Sequence, residues 1–172
     1  ANKAILTDLA NAGFNCLLVP PTTPDVVFDE MDRLGVRAVV TTGYDMVLPK
    51  DPTERAARVD ALRKMALQLK DKPALLGWEG PDEPLWNWKG PEPGGIGDTP
   101  TWKLDKEQQA KFHGLIDHLK DGYEVVKTAD PDGQVFLNHA PRLEIEELQW
   151  FTPDKCRFGY DSKGRTAADA FG

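Results

Sequence analysis

Residues 36–78 read VRAVVTTGYDMVLPKDPTERAARVDALRKMALQLKDKPALLGW, with two apolar runs on either side of a helical segment. The runs, 36–41 and 74–78, are continuous and partly β-branched, which is typical of strands buried on both faces of a parallel sheet. Between them, residues 52–70 keep apolar side chains at helical spacing, after a start signal formed by Asp51, Pro52 and Glu54. The stretch therefore predicts a strand–helix–strand unit with parallel strands.

The same alternation extends along the chain in both directions. Apolar runs predict further strands at 14–19, 135–137 and 156–160. Helical spacing predicts further helices at 2–11, 24–34, 106–128 and 143–150, with Thr23 as the cap of the second of these. The sequence therefore predicts an α/β fold with about five parallel strands alternating with helices.

Composition excludes several classes of protein. Of the 172 residues, 21 are Lys or Arg and 28 are Asp or Glu, so the formal net charge of −7 argues against nucleic-acid or membrane-surface binding. No run approaches the roughly 18 apolar residues of a membrane-spanning helix, and no signal-peptide pattern follows Ala1. The length predicts a single domain over 1–172. Cys16 and Cys156 are expected to be small buried residues, and no metal or cofactor motif is present.

Two α/β architectures fit this order, a doubly wound open sheet and a (β/α)₈ barrel. The first predicted strand is followed by Pro20 and Pro21 instead of a glycine-rich phosphate loop. Polar residues follow the carboxyl end of each strand, the edge at which a barrel builds its active site. These residues are Thr41, Thr42, Tyr44 and Asp45; Glu79, Asp82 and Glu83; Asn138, His139 and Arg142; and Asp161. The pattern favours a partial (β/α)₈ TIM barrel.

A long loop at 80–104, rich in Trp, Gly and Pro, follows the strand at 74–78. Loops of this length in a compact domain are often functional. Indole rings stack on the C–H faces of sugars, and carboxylates protonate a glycosidic oxygen or bind hydroxyl groups. Four tryptophans (Trp78, Trp86, Trp88 and Trp102) lie in or beside this loop, near three acids (Glu79, Asp82 and Glu83). The segment indicates carbohydrate binding, although Trp78 is equally compatible with a place in the core.

The motif GWEGPDEP at 77–84 resembles the fourth-strand signature of clan A (β/α)₈ glycoside hydrolases, in which a strand ends in Asn-Glu-Pro. The resemblance implies that Glu83 is the general acid/base. Asp82 stands in the position of the family's asparagine, which hydrogen-bonds the sugar 2-hydroxyl. An ionised Asp82 accepts such a bond but cannot donate one.

Four other segments resemble further strands of the same superfamily. GFNCLLVP (13–20) resembles the second strand, LGVRAVVTTG (34–43) the third, VFLNHAPR (135–142) the fifth and CRFGYDS (156–162) the sixth. In this register, strands one, seven and eight have no counterpart, and the seventh carries the family's nucleophile. Since a barrel takes about 250 residues, the chain is expected to be an incomplete barrel domain that is inactive by itself.

The resemblance implies an O-glycosyl hydrolase, retaining in the complete parent, whose substrate is an oligo- or polysaccharide. No cofactor, metal, nucleic acid or membrane is implied, and the expected protein partner is the rest of the parent barrel. The compartment stays open, since a secreted or periplasmic parent fits the resemblance. Besides Glu83, substrate binding is predicted for Asp82, Glu79, Trp78, Trp86, Trp88, Tyr44, Asp45, Asn138, His139 and Asp161.

Two other functions remain compatible with the sequence. One is a non-catalytic carbohydrate-binding barrel, in which the loop at 80–104 serves recognition only. The other is an unrelated barrel enzyme that uses Glu83 and Asp45 as an acid/base pair. The sugar, the linkage, the stereochemical outcome and the oligomeric state are left open. A sheet with two unpaired edges predicts marginal stability or self-association of the chain alone.

Overall fold

The computed structural model describes residues 3–82 and 105–136. Helices and parallel strands alternate through these ranges, and each predicted element within them is confirmed to within two residues at either end. The predicted helix 143–150 and strand 156–160 lie outside the described residues. The described elements are α1 (Lys3–Asn11), β1 (Cys16–Val19), α2 (Asp25–Arg33), β2 (Arg37–Thr41), a 3₁₀ helix (Gly43–Met46), α3 (Pro52–Leu69), β3 (Leu75–Glu79), α4 (Lys106–Ala129) and β4 (Gln134–Phe136).

The strands of the described ranges form one parallel sheet in the order β1-β2-β3-β4. Sequential neighbours joined by helices, with no reversal of order, are the arrangement of consecutive β/α units in a barrel. The register is continuous except for an irregularity between Ala38 and Val39, opposite β3. A partial (β/α)₈ barrel therefore describes the architecture better than a doubly wound sheet, whose strand order reverses at a switch point.

One face of the sheet packs against the helices. Val19, Val40, Trp78 and Val135 lie side by side across the four strands and point toward this face. Val40 and Trp78 are fully buried there. The helices contribute the rest of the core, including Phe28, Met31, Leu62, Ala66, Leu69, Leu115, Leu119 and Val126. This layer holds the strands so that their carboxyl ends share one edge.

Helix α3 begins as its sequence predicts, whereas the start of α2 differs. Asp51 caps α3 by accepting bonds from the backbone N–H groups of Thr53 and Glu54, at 3.0 and 2.9 Å. In α2 the residue before the first turn is Pro24, and no side chain caps the helix. The predicted cap, Thr23, instead donates its hydroxyl to the carbonyl of Pro20 at 2.7 Å. The hydroxyl thus closes the turn after β1.

The opposite face of the sheet is open to solvent at several positions of the described residues. Leu18 and Phe136 are exposed on this face. Cys16, expected to be a small buried residue, is a free and exposed thiol at the start of β1. The difference arises because Cys16 lies on the face that the helices do not cover. Among the helices of the described ranges, none is long and apolar enough to cross a membrane.

Candidate active site

The candidate site lies where β2 and β3 end. Thr41 and Glu79 are the last residues of these strands and are register partners, so their side chains point to the same face. That face is opposite to Trp78 and the helices, because neighbouring residues of a strand alternate in direction. In a barrel this is the inward face. Glu79 therefore points toward the interior at the edge where barrels bind substrates.

The backbone at Glu79 is held firmly. Its carbonyl accepts two hydrogen bonds from Thr42, one from the backbone N–H at 2.7 Å and one from the hydroxyl at 2.9 Å. The next residue, Gly80, donates its N–H to the carbonyl of Phe136 at 2.9 Å. Pro81 is fully buried. Residues 79–81 are thus fixed by contacts with both neighbouring strands and by packing.

The environment of the Glu79 carboxyl favours its neutral form. Partial burial is the main cause that raises its pKa above the ordinary value, because burial disfavours the charged form. The hydroxyl of Thr41 hydrogen-bonds the carboxyl and acts in the opposite direction, and the negative charge of Asp82 raises the pKa further. Asp82 itself is exposed. A half-buried acid beside a second acid is typical of sites that handle protons.

Tyr44 and Asp45 follow β2 at the same edge, in the 3₁₀ helix. Tyr44 is exposed. The Asp45 carboxylate accepts a hydrogen bond from Arg58 of α3 at 2.6 Å, within an ion pair that is largely solvent-exposed. Such exposed pairs contribute about 0–1 kcal/mol, so this pair adds little to the stability of the fold.

Trp78 does not belong to this site, which corrects the prediction that it binds substrate. Its ring is fully buried on the helix-facing side of the sheet. Its indole N–H donates to the carboxylate of Asp130 at 2.8 Å. A ring in this position cannot stack on a sugar. The alternative interpretation, a place in the core, is the one the structure supports.

The other predicted site residues lie outside the described residues. The structure therefore brings Glu79, Asp82, Tyr44 and Asp45 to one edge of the sheet, and leaves the remaining positions as predictions. Within ranges 3–82 and 105–136, no group of three or more His, Cys, Asp and Glu side chains is placed to hold a metal ion. The predicted positions not described are Glu83, Trp86, Trp88, Asn138, His139 and Asp161.

Sequence reasoning gave no role to several residues that shape the site. Thr41 and Thr42 were visible as polar residues after a strand, but their shared partner, Glu79, lies 37 or more positions away. Arg58, which pairs with Asp45, carries no local signal. For Asp130 a signal exists, because Asp-Pro-Asp-Gly at 130–133 is a turn sequence in which the first Asp commonly bonds the backbone. Its carboxylate indeed accepts from the N–H of Gly133 at 3.0 Å.

Comparisons with known proteins give the fold. The sequence matches no protein-family model and no curated protein sequence. Among solved structures, it is similar to the β-1,4-D-mannanase of Cryptopygus antarcticus, at 13% identity over 94% of this chain and 54% of that one, with a TM-score of 0.60. It is similar to the β-mannanase of the blue mussel Mytilus edulis, at 17% identity over 80% and 50%, with a TM-score of 0.55.

A third similar structure is the D-psicose 3-epimerase of Clostridium cellulolyticum H10, at 14% identity over 89% of this chain and 55% of that one, with a TM-score of 0.50. The chain spans about half the length of these three proteins. At such identities the likeness concerns the fold. The chain therefore has the fold of part of a (β/α)₈ barrel, the architecture of these mannanases and of other glycoside hydrolases.

Proposed function

We propose that this chain is the acid/base-bearing part of a (β/α)₈ glycoside hydrolase, with Glu83 as the general acid/base. The observation that carries the proposal is the placement of Glu79 and Asp82 at the carboxyl end of β3. Glu79 faces inward from a backbone held by Thr42, and Pro81 is buried just after it. Glu83 is the next residue after Asp82 in the sequence.

The chemistry of glycoside cleavage requires an acid in this kind of position. A carboxyl group protonates the leaving oxygen as the glycosidic bond breaks, and in retaining enzymes a second carboxyl attacks the sugar from about 5–5.5 Å away. The acid must keep its proton near working pH, which burial and neighbouring negative charge achieve. Burial and the charge of Asp82 raise the pKa of Glu79, four positions before Glu83, and we expect the same two influences to act on Glu83.

The similarity to two mannanases makes a β-1,4-linked mannan the first substrate to test. The sugar-stacking part of the proposed site is assigned to Trp86 and Trp88 of the loop 80–104. Hydroxyl-binding roles are assigned to Asp82, Tyr44 and Asp45 at the edge of the described sheet. Asn138, His139 and Asp161 are assigned to the ends of the next strands along the chain.

The test is Glu83→Gln in the full-length protein, assayed on two aryl mannosides that differ in their leaving group. Loss of a general acid lowers the rate by roughly 10²–10⁴-fold where the leaving group needs a proton. We expect this loss for the substrate with a poor leaving group. We expect a much smaller loss for a substrate whose leaving group departs without protonation.

The matched control is Glu124→Gln, which removes an exposed carboxylate from the outer side of α4. It should leave both rates unchanged. Wild-type rates on the poor leaving group in Glu83→Gln would refute the assignment. Binding of mannan oligosaccharides without hydrolysis by the full-length protein would instead support a non-catalytic carbohydrate-binding barrel.

A further inference from the structure

Hydrogen bonds tie β3 to β4 both before and after the last residue of β3. Before it, the Asp130 carboxylate accepts from the indole N–H of Trp78 at 2.8 Å and from the backbone N–H of Gly133 at 3.0 Å. After it, Gly80 donates its backbone N–H to the carbonyl of Phe136 at 2.9 Å. Gly133 directly precedes β4, and Phe136 ends it. Asp130 therefore connects the start of β4 with β3 close to the carboxyl end of β3.

The Asp130 carboxylate is enclosed and uses both of its oxygens. One oxygen bonds the fully buried Trp78 and the other bonds Gly133, while Asp130 itself is 8% exposed. A Cβ on Gly133 would overlap the carboxylate, so the turn comes close to it only because this residue has no side chain. The buried Lys127 donates to the carbonyls of Pro131 and Gly133, both at 2.7 Å, and holds the backbone of the turn. Little room is left for the carboxylate to move.

This anchor acts on the strand that ends at the candidate site. Trp78 directly precedes Glu79, and the two side chains point to opposite faces because residues of a strand alternate in direction. Their register partners on β4 are Val135 and Phe136. A shift of the Trp78 indole would therefore change the position of Glu79 and of the backbone that continues toward Glu83. Catalysis is sensitive to such changes, since a misplacement of about 1 Å can lower a rate roughly 10²-fold.

We propose that Asp130 is a positioning residue of the candidate active site, which acts through Trp78 to fix the end of β3 relative to β4. The inference rests on the glycosidase function proposed above and adds a residue on which that site depends. Asp130 bonds the indole on the helix-facing side of the sheet, so it is not a catalytic residue. Its effect reaches the site through the backbone of β3.

The first measurement needs no substrate. Hydrogen–deuterium exchange of the Gly80 amide in the full-length protein reports the pairing of β3 with β4. Asp130→Asn leaves one acceptor oxygen for two donors, and Trp78→Phe removes one donor but keeps an aromatic ring in the core. Each should speed exchange at Gly80 roughly 10-fold relative to the slowest amides of the protein. Asp132→Asn, at an exposed position of the same turn, should not. Equal acceleration of all amides would overturn the proposal.

The second measurement separates positioning from stability. The values of kcat and KM are measured on the aryl mannoside with the poor leaving group, at a temperature at which all variants are folded. Asp130→Asn and Trp78→Phe should lower kcat by up to roughly 10²-fold, with little change in KM. Asp51→Ala is the matched control, because it destabilises the protein through the cap of α3. Its kcat should equal that of the wild type.

The double variant tests whether the two residues act through one bond. If they do, Asp130→Asn combined with Trp78→Phe should lower kcat by no more than the larger single effect. Multiplied losses, or wild-type kcat in both single variants, would overturn the proposal.

The two proposals fail in different experiments. Wild-type kcat in both single variants, alongside a loss in Glu83→Gln, refutes the role of Asp130 and keeps the acid/base assignment. Wild-type rates in Glu83→Gln refute that assignment, whereas exchange at Gly80 still decides whether Asp130 holds the two strands together.

Discussion

At the scale of single residues, Asp130 organises the turn that leads into β4. Its carboxylate accepts bonds from the indole N–H of Trp78 at 2.8 Å and from the N–H of Gly133 at 3.0 Å. The ammonium group of the buried Lys127 donates to the carbonyls of Pro131 and Gly133, both at 2.7 Å. The network joins the turn to the strand that ends in Glu79.

The network predicts a specific loss of stability. Asp130→Ala leaves the buried indole N–H of Trp78 without an acceptor, so the free energy of unfolding should fall by about 1–3 kcal/mol. Asp132→Ala, at an exposed position of the same turn, should change it by less than about 0.5 kcal/mol. Urea unfolding of the two variants provides the comparison. If the two variants lost the same free energy of unfolding, the Trp78–Asp130 hydrogen bond would not contribute measurably to stability.

At the scale of elements, α3 and α4 form the layer behind the site. Arg55 of α3 donates to Asp121 of α4 at 2.5 Å, which ties the two helices together. Gly122 of α4 lies against the backbone carbonyl of Met46, where a Cβ would overlap it. The 3₁₀ helix that carries Tyr44 and Asp45 is therefore packed directly on α4. The position of α4 therefore affects the position of Tyr44 and Asp45 through this contact.

The contribution of the N-terminal cap of α3 to stability can be tested by substitution of Asp51. Asp51→Ala removes the acceptor for two backbone N–H groups and should lower the free energy of unfolding by about 1 kcal/mol, within the range of 0.5–2. Asp51→Asn keeps a good cap and should have little effect. Thermal and urea unfolding of both variants measure the difference. A loss of equal size in Asp51→Asn would contradict capping as the cause.

At the scale of the whole molecule, the described sheet is covered by helices on one face only. Leu18 on the other face is 61% exposed, and Phe136 is exposed beside the candidate site. Apolar side chains at such positions of a parallel sheet are normally buried, because both faces of these sheets are covered. β1 is also an edge of the described sheet, which adds unpaired backbone groups.

This arrangement predicts self-association of the 172-residue chain. Sedimentation velocity should show a sedimentation coefficient that increases with concentration, because copies bury the exposed face against each other. Leu18→Glu should weaken the association. Val26→Glu is the matched control, since Val26 is 55% exposed but lies on α2, away from the sheet face. A monomer at all concentrations, or equal effects of the two variants, would contradict the prediction.

Much of the fold was predictable, and the reason is local. Helix α4 repeats apolar residues at helical spacing, and its limits, Lys106–Ala129, agree with the prediction to one residue. The cap at Asp51 was predictable because an acidic residue directly before a proline is a common start signal of a helix. The prediction that Thr23 caps α2 is wrong. Its hydroxyl can bond either the start of α2 or the Pro20 carbonyl, and in the turn after β1 it bonds the carbonyl.

Local sequence patterns are enough to predict the alternation of strands and helices, and hence which acids follow a strand end, because periodicity and turn residues act within a few positions. The environment of each side chain depends instead on how distant segments pack. Trp78 and Glu79 are adjacent in the chain, yet one is buried against the helices and the other faces inward. Trp78 finds its partner 52 positions away, at Asp130. The face that a strand residue occupies, and the groups that meet it there, depend on packing between distant segments, which no local pattern encodes.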